Sequence, residues 1–232
     1  MPCGSTGLRV CIPDIYLLKS ENLSDVENPT EALANLEGIT TILAMGQSNM
    51  ARTGTAGLAS YDTAPDTRVQ IWADLSATPA WETWDIESAT QQNTSFVPQM
   101  SNPAFHFAKK LVEEKGGIVR VVASAEGGQG IGAWRGGAGN PYPTGFPLWD
   151  RVIEQITDSG TTQVDIVLWQ HGGSNNEIGY GNLLNSFIAD VHGYSWFPAT
   201  SLWISACDPR VNNPIAYNEH LSEVSRTKYF RF

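Results

Sequence analysis

The sequence predicts a three-layer α/β/α domain built on a parallel sheet, and three observations carry that prediction. Short, near-continuous apolar runs recur along the chain, as in "ITTILAM" and "IVRVVAS", the pattern of strands buried on both faces. Single amphipathic stretches separate them, as the crossover helices of a parallel sheet do. Segments of small residues follow the carboxyl ends of several runs, which is where such sheets bind ligands.

Residues 1–37 stand apart as a connector, because no apolar piece there is long enough to bury a face alone. Within it "ENPTEALANLEG" reads as a short helix with Asn28 as N-cap, Pro29 at the first helical position, Glu31 in the first turn and Gly38 just past the end. The main domain then spans residues 38–232. Strands are expected at 39–45 and 69–73, and a helix over "PAFHFAKKLVEEKGG", entered at Pro103 behind Asn102 and stopped by Gly116 and Gly117. A strand follows at 118–124, then "LWDRVIEQI", which sets Trp149, Val152, Ile153 and Ile156 on one helical face. Next come a strand at 164–169, a helix with Leu184, Phe187, Ile188 and Val191 at the same spacing, a strand at 201–206 and a helix over 214–226. Trp72, Trp149, Trp169 and Trp203 fall within these elements and are expected in the core.

A chain of 232 residues holds one full-sized domain with an appendage. Its formal charge of -10, with no Lys/Arg cluster, argues against nucleic acid as a partner. The apolar runs are too short to span a bilayer, and residues 1–15 lack the pattern of a secretion signal, so synthesis in a cytoplasm is expected. Cys3, Cys11 and Cys207 are too few and too scattered for a disulfide framework or a metal site. No metal or organic cofactor is expected.

Ser48 in "GQSNM", the segment 127–130 and the segment 172–176 each lie just past a predicted strand, so the three loops are expected to converge on one edge of the sheet. A serine becomes a nucleophile when a base takes its proton and donors receive the charge developing on the attacked carbonyl. The backbone near Ser48, the glycines of "EGGQGIGAW" and the side chain of Asn175 in "GGSNNE" could supply those donors. The G-x-S-x-G elbow of α/β-hydrolases is absent.

Taken together, "GQSNM", "EGGQGIGAW" and "VLWQHGGSNNE", each after an apolar strand, resemble the successive blocks of SGNH (GDSL-like) hydrolases. The branch is that of sialate O-acetylesterases and related carbohydrate acetylesterases, and the resemblance covers about residues 39–210. It implies a flavodoxin-like fold, with Ser48 as nucleophile, Gly128 as backbone oxyanion donor (Gly127 in the competing register) and Asn175 as side-chain donor. Gln47, Gly127, Trp134 and Arg135 are the candidate substrate contacts. Trp134 could stack on a sugar face or pack its loop against the core, and Arg135 could pair with a sugar carboxylate.

Two departures stand out. The branch usually shows Gln-Gly-Glu-Ser-Asp where this chain has His171, Gly172, Gly173, Ser174 and Asn175, so glycine replaces an acid. The family's Asp-x-x-His block, which supplies the base, has no counterpart. His106 and His192 fall in predicted helices and His220 lies upstream of that block's place, which leaves His171 as the histidine at the active edge. It is a candidate substitute base, or else a donor that holds its loop. A truncated chain, a substitute histidine or an inactive site would each account for the missing block, and truncation is the favoured expectation.

The stretch "LKSENLSDVENPTEALANLEGI" resembles the connector of bacteriophage tail fibres and tailspikes. That resemblance implies a virion-tail location after synthesis in the host cytoplasm, with the cytoplasm itself as the alternative. It also implies a homotrimer and an O-acetylated cell-surface glycan as partner. The expected activity is removal of O-acetyl groups from that glycan, with an inactive glycan-binding module or a structural tail component as rivals.

Overall fold

Alternation within the central strands sets the layers. A computed structural model describes residues 38–51, 63–88, 93–95, 102–134, 148–171, 180–206 and 229–231. Strand β1 (Ile39–Gly46) is buried from Thr41 onward, as a strand at the middle of a covered sheet must be. It sends Leu43 and Met45 into one core cluster and Ile42 and Ala44 into the other. β4 (Ile118–Ala125) divides likewise, with Val122 in the first cluster and Val121 and Ala123 in the second.

The first cluster is covered by α3 (Leu148–Asp158) and α4 (Tyr180–Val191), through Trp149, Val152, Leu184 and Phe187. Helix α2 (Pro103–Lys115) covers the second through Phe105, Ala108 and Val112. Its limits are those its sequence dictates. The Asn102 side chain accepts from Ala104 N at 2.8 Å, Pro103 opens the first turn, and Gly116 at φ +74 returns its N–H to Val112 O.

The sheet runs β3-β2-β4-β1-β5-β6-β7, where β2 is Val69–Ala73, β3 Ala80–Thr83, β5 Ile166–Gln170, β6 Leu202–Ala206 and β7 Tyr229–Arg231. Every pairing is parallel except that of β3 with β2. The strands expected from sequence are present to within two residues at either end, and the four named tryptophans are buried. Strands β3 and β7 were not expected. β3 is a four-residue edge strand whose every residue is half-buried, and β7 has three residues, so neither carries a readable period. The connector over 1–37, its helix and the helix over 214–226 lie outside the described residues. Among the described residues no helix is long and apolar enough to cross a membrane.

Candidate active site

The neighbours of β1 are β4 and β5, so the three strands followed by the singled-out loops lie side by side at the middle of the sheet. Their carboxyl ends are bonded together. Gln47 N donates to Gln170 O at 2.8 Å, and Glu126 N donates to Gly46 O at 2.9 Å. Gly46 makes this approach possible: at φ +134, a Cβ in its place would lie 1.9 Å from Gln170 O.

Directly beyond, the one-turn helix α1 (Ser48–Ala51) begins, with Met50 N and Ala51 N donating to Gln47 O at 2.9 and 3.1 Å. Ser48 is exposed, while Met50 and Ala51 are buried against the α2 side of the core. The strand thus presents one hydroxyl to solvent on a fixed base. Asn102, besides capping α2, donates through Nδ2 to Met50 O at 2.6 Å and so pins α1 from behind.

The second loop meets the first through glycine. A Cβ at Gly127 would come 3.5 Å from the Ser48 Cβ, and Gly128 turns the chain at φ +76. Both glycines are exposed, and among the described residues neither N–H donates to a protein acceptor. Of the two registers expected for the backbone donor, Gly127 is the one set against Ser48. The start of this turn is gripped by Arg151 of α3, whose guanidinium donates to Ser124 Oγ, Ala125 O and Glu126 Oε2 at 3.2, 3.1 and 3.2 Å.

Three of the expected site residues, His171, Gln47 and Trp134, lie in the interior. His171 is wholly buried, with Nε2 3.0 Å from Gln129 O and Nδ1 3.1 Å from Tyr180 Oη. A carbonyl can only accept, so Nε2 carries the proton and has no lone pair to take one from Ser48. Burial also pushes the imidazole down to about 4, against which the bond to Gln129 O pulls weakly upward. Of the two roles expected for His171, these bonds fit the one of a donor that holds its loop. Gln47, expected as a substrate contact, is 3% exposed, and its Nε2 donates to Gln129 O at 2.5 Å, which braces the second loop from within. Trp134 offers no face to a sugar: it is fully buried, edge-on to Trp169 at 5.5 Å.

Asn175, Arg135 and His220 lie outside the described residues. His106 packs edge-on to Phe105, and His192 packs on Phe197 at 4.7 Å. Among the described residues no imidazole is hydrogen-bonded to Ser48 Oγ, and no group of three His, Cys, Asp or Glu side chains converges as metal ligands would.

Sequence reasoning missed Arg151, Tyr180 and the second bond of Asn102. Asn102 was legible as a cap, which signals nothing of its contact with Met50. Arg151 sits one residue from the buried face of α3, a place that periodicity assigns to no partner.

The family "Carbohydrate esterase, sialic acid-specific acetylesterase" matches residues 39–202. Among solved structures, a protein of Arabidopsis thaliana superposes with a TM-score of 0.64 at 19% identity, over 83% of this chain and 84% of that one. NanS superposes at 0.52 and 16% identity, over 84% of this chain and 77% of that one. A carbohydrate acetylesterase from Xanthomonas citri superposes at 0.50 and 21% identity, over 72% of this chain and 40% of that one. At these identities the superpositions establish the shared fold. No curated protein matches the sequence.

Proposed function

The chain belongs to the carbohydrate esterase family of sialic acid-specific acetylesterases, and from that premise we propose that it is a serine esterase removing O-acetyl groups from bacterial surface polysaccharide. The observation that carries the mechanism is the exposed Ser48 at the end of β1, set against the Gly127 and Gly128 turn, whose N–H groups are unpaired among the described residues. In the proposed reaction Ser48 Oγ attacks the acetyl carbonyl and loses its proton to a base beyond the described residues. The N–H groups of Ser48 and the glycine turn, with Asn175 by family resemblance, receive the oxyanion. Collapse expels the sugar hydroxyl with a returned proton, and water then cleaves the acetyl-serine to acetate.

The setting proposed for this chemistry is a phage tail fibre or tailspike, homotrimeric and acting on an O-acetylated surface glycan. It rests on the resemblance of "LKSENLSDVENPTEALANLEGI", residues 18–39, to tail connectors.

Acetate release from O-acetylated polysaccharide, and from a small chromogenic acetyl ester, tests the reading. Ser48→Ala should lower turnover by about 10³-fold or more. Turnover that survives the substitution sinks Ser48 as nucleophile. One observation favours a second reading, a glycan-binding relic: the buried imidazole nearest the site is locked by its bonds and unable to serve as base. Under that reading the wild-type chain binds the polysaccharide, releases no acetate, and is unaffected by Ser48→Ala.

A further inference from the structure

We propose that His171 and Tyr180 are positioning residues that hold the 126–129 turn in the shape needed to receive the oxyanion, a role that rests on the esterase reading above. The turn has little of its own to hold it. Its two central residues are exposed glycines, which lose more freedom on ordering than any other residue. Preorganised donors stabilise a transition state without reorganising, so a glycine turn that serves as a donor must be fixed from outside.

The fixing point is Gln129 O, which accepts from Gln47 Nε2 at 2.5 Å and from His171 Nε2 at 3.0 Å. One carbonyl thereby ties the residue before the nucleophile, the glycine turn and the end of β5 together.

The orientation of His171 follows from its partners. Nε2 must donate to a carbonyl, which leaves Nδ1 bare in the neutral ring. The Tyr180 hydroxyl donates to it across 3.1 Å, and the Tyr180 oxygen accepts from Trp169 Nε1 at 3.1 Å. The chain of donors therefore runs one way, from Trp169 through Tyr180 and His171 to Gln129. The imidazole is also stacked on the Trp169 ring at 4.9 Å and 11° and on the Tyr180 ring at 5.5 Å and 15°. His171 and Tyr180 flank residues 172–179 in sequence, so their bond also joins the two ends of the stretch that carries Asn175.

The test uses the full chain: kcat and KM on the chromogenic acetyl ester for wild type, H171A, H171Q and Y180F, with thermal melts and amide 15N relaxation over residues 127–129. H171A should lower kcat about 10- to 100-fold with KM nearly constant, the scale expected when an outer partner of a reacting group is lost. H171Q places an amide donor where Nε2 stood and should restore most of that loss. Y180F, which removes one oxygen, should fall between, and it decides the matter if H171A does not fold.

Full kcat in a folded H171A or Y180F overturns the proposal. So does an H171Q as inactive as S48A, since glutamine can donate but cannot act as a base. If the wild type itself shows no turnover, the esterase reading falls and relaxation judges the lock alone. Added fast motion at residues 127–129 in H171A but not in H171Q supports it, and unchanged motion in H171A refutes it.

Discussion

Gly46→Ala is the sharpest test of how the nucleophile is placed. A Cβ at Gly46 would lie 1.9 Å from Gln170 O, 2.7 Å from its carbonyl carbon and 2.9 Å from its nitrogen, all closer than the 3.0 Å at which something must move. The obstacle is the backbone of β5, paired to β1 on one side and to β6 on the other, so it cannot swing aside as a side chain could. Overpacking costs about 1–3 kcal/mol, the left-handed backbone at φ +134 about 1–2, and loss of the bond from Gln47 N to Gln170 O about 1, or about 3–6 kcal/mol together. For a chain of this length that corresponds to a fall in Tm of about 10 °C. Because Gln47 adjoins Ser48, a shift of about 1 Å in that bond should also lower turnover about 10²-fold. Thermal melts and ester hydrolysis by the purified variant measure both effects. A melting temperature within about 2 °C of wild type, with undiminished turnover, would refute the argument.

Three more substitutions probe separate links. Asn102→Ala removes the cap of α2 and leaves Met50 O unpaired, for about 2 kcal/mol in all, whereas Asn102→Asp keeps the capping acceptor and loses only the donor. The Asp variant should therefore be the more stable of the two yet equally impaired in turnover, and full turnover in it would detach Asn102 from the nucleophile. Trp134→Ala should cost about 3–5 kcal/mol through the cavity it opens, with glycan affinity of the folded protein unchanged. Weaker binding at unchanged stability would instead reinstate a sugar-stacking role. The His171 imidazole, held at about 4 against 6.5 by burial, refuses in the folded state a proton that the unfolded chain accepts. Its share of stability is complete above pH 6.5 and is lost as pH falls toward 4, at about 1.4 kcal/mol per pH unit and about 3 kcal/mol overall. H171Q should flatten that limb in pH-dependent denaturation. Asp66, held down mainly by its bond with Arg68, acts chiefly below 3.8 and overlaps only the lower end of this window.

The legible parts of the fold were those written in local pattern. β1 and β4 carry near-continuous apolar runs because both faces are covered, and α2 declares its limits through Asn102, Pro103 and Gly116. β3 was not legible, because an antiparallel edge strand of four half-buried residues has neither an apolar run nor an alternation. The candidate site divides the same way. Ser48 could be placed at a strand end from its own neighbours, while the duties of His171 and Gln47 are defined by Gln129, 42 and 82 positions away in sequence. For Trp134 the glycine-rich flanks left two roles open, and its packing against Trp169 across the core favours the interior one.

The strand order brings the candidate nucleophile and the glycine turn together. Ser48 and the glycine turn stand on β1 and β4, with β5 completing the central trio, and their bonds are to one another: Gly46 to Glu126, Gln47 to Gln170 and Gln129, and His171 to Gln129. Among the described residues none of these bonds runs through Ser48 Oγ, so the frame forms without the base that the proposed turnover requires. A base can therefore be lost or exchanged while the oxyanion turn stays formed, and the two functional readings differ in chemistry and not in shape. It follows that a phosphonate mimic of the tetrahedral acetyl adduct should engage the turn whether or not acetate is released, provided His171 and Tyr180 hold Gln129. Substituting those two residues should weaken its binding even in a chain without turnover, whereas unchanged binding would mean that the turn keeps its shape without them.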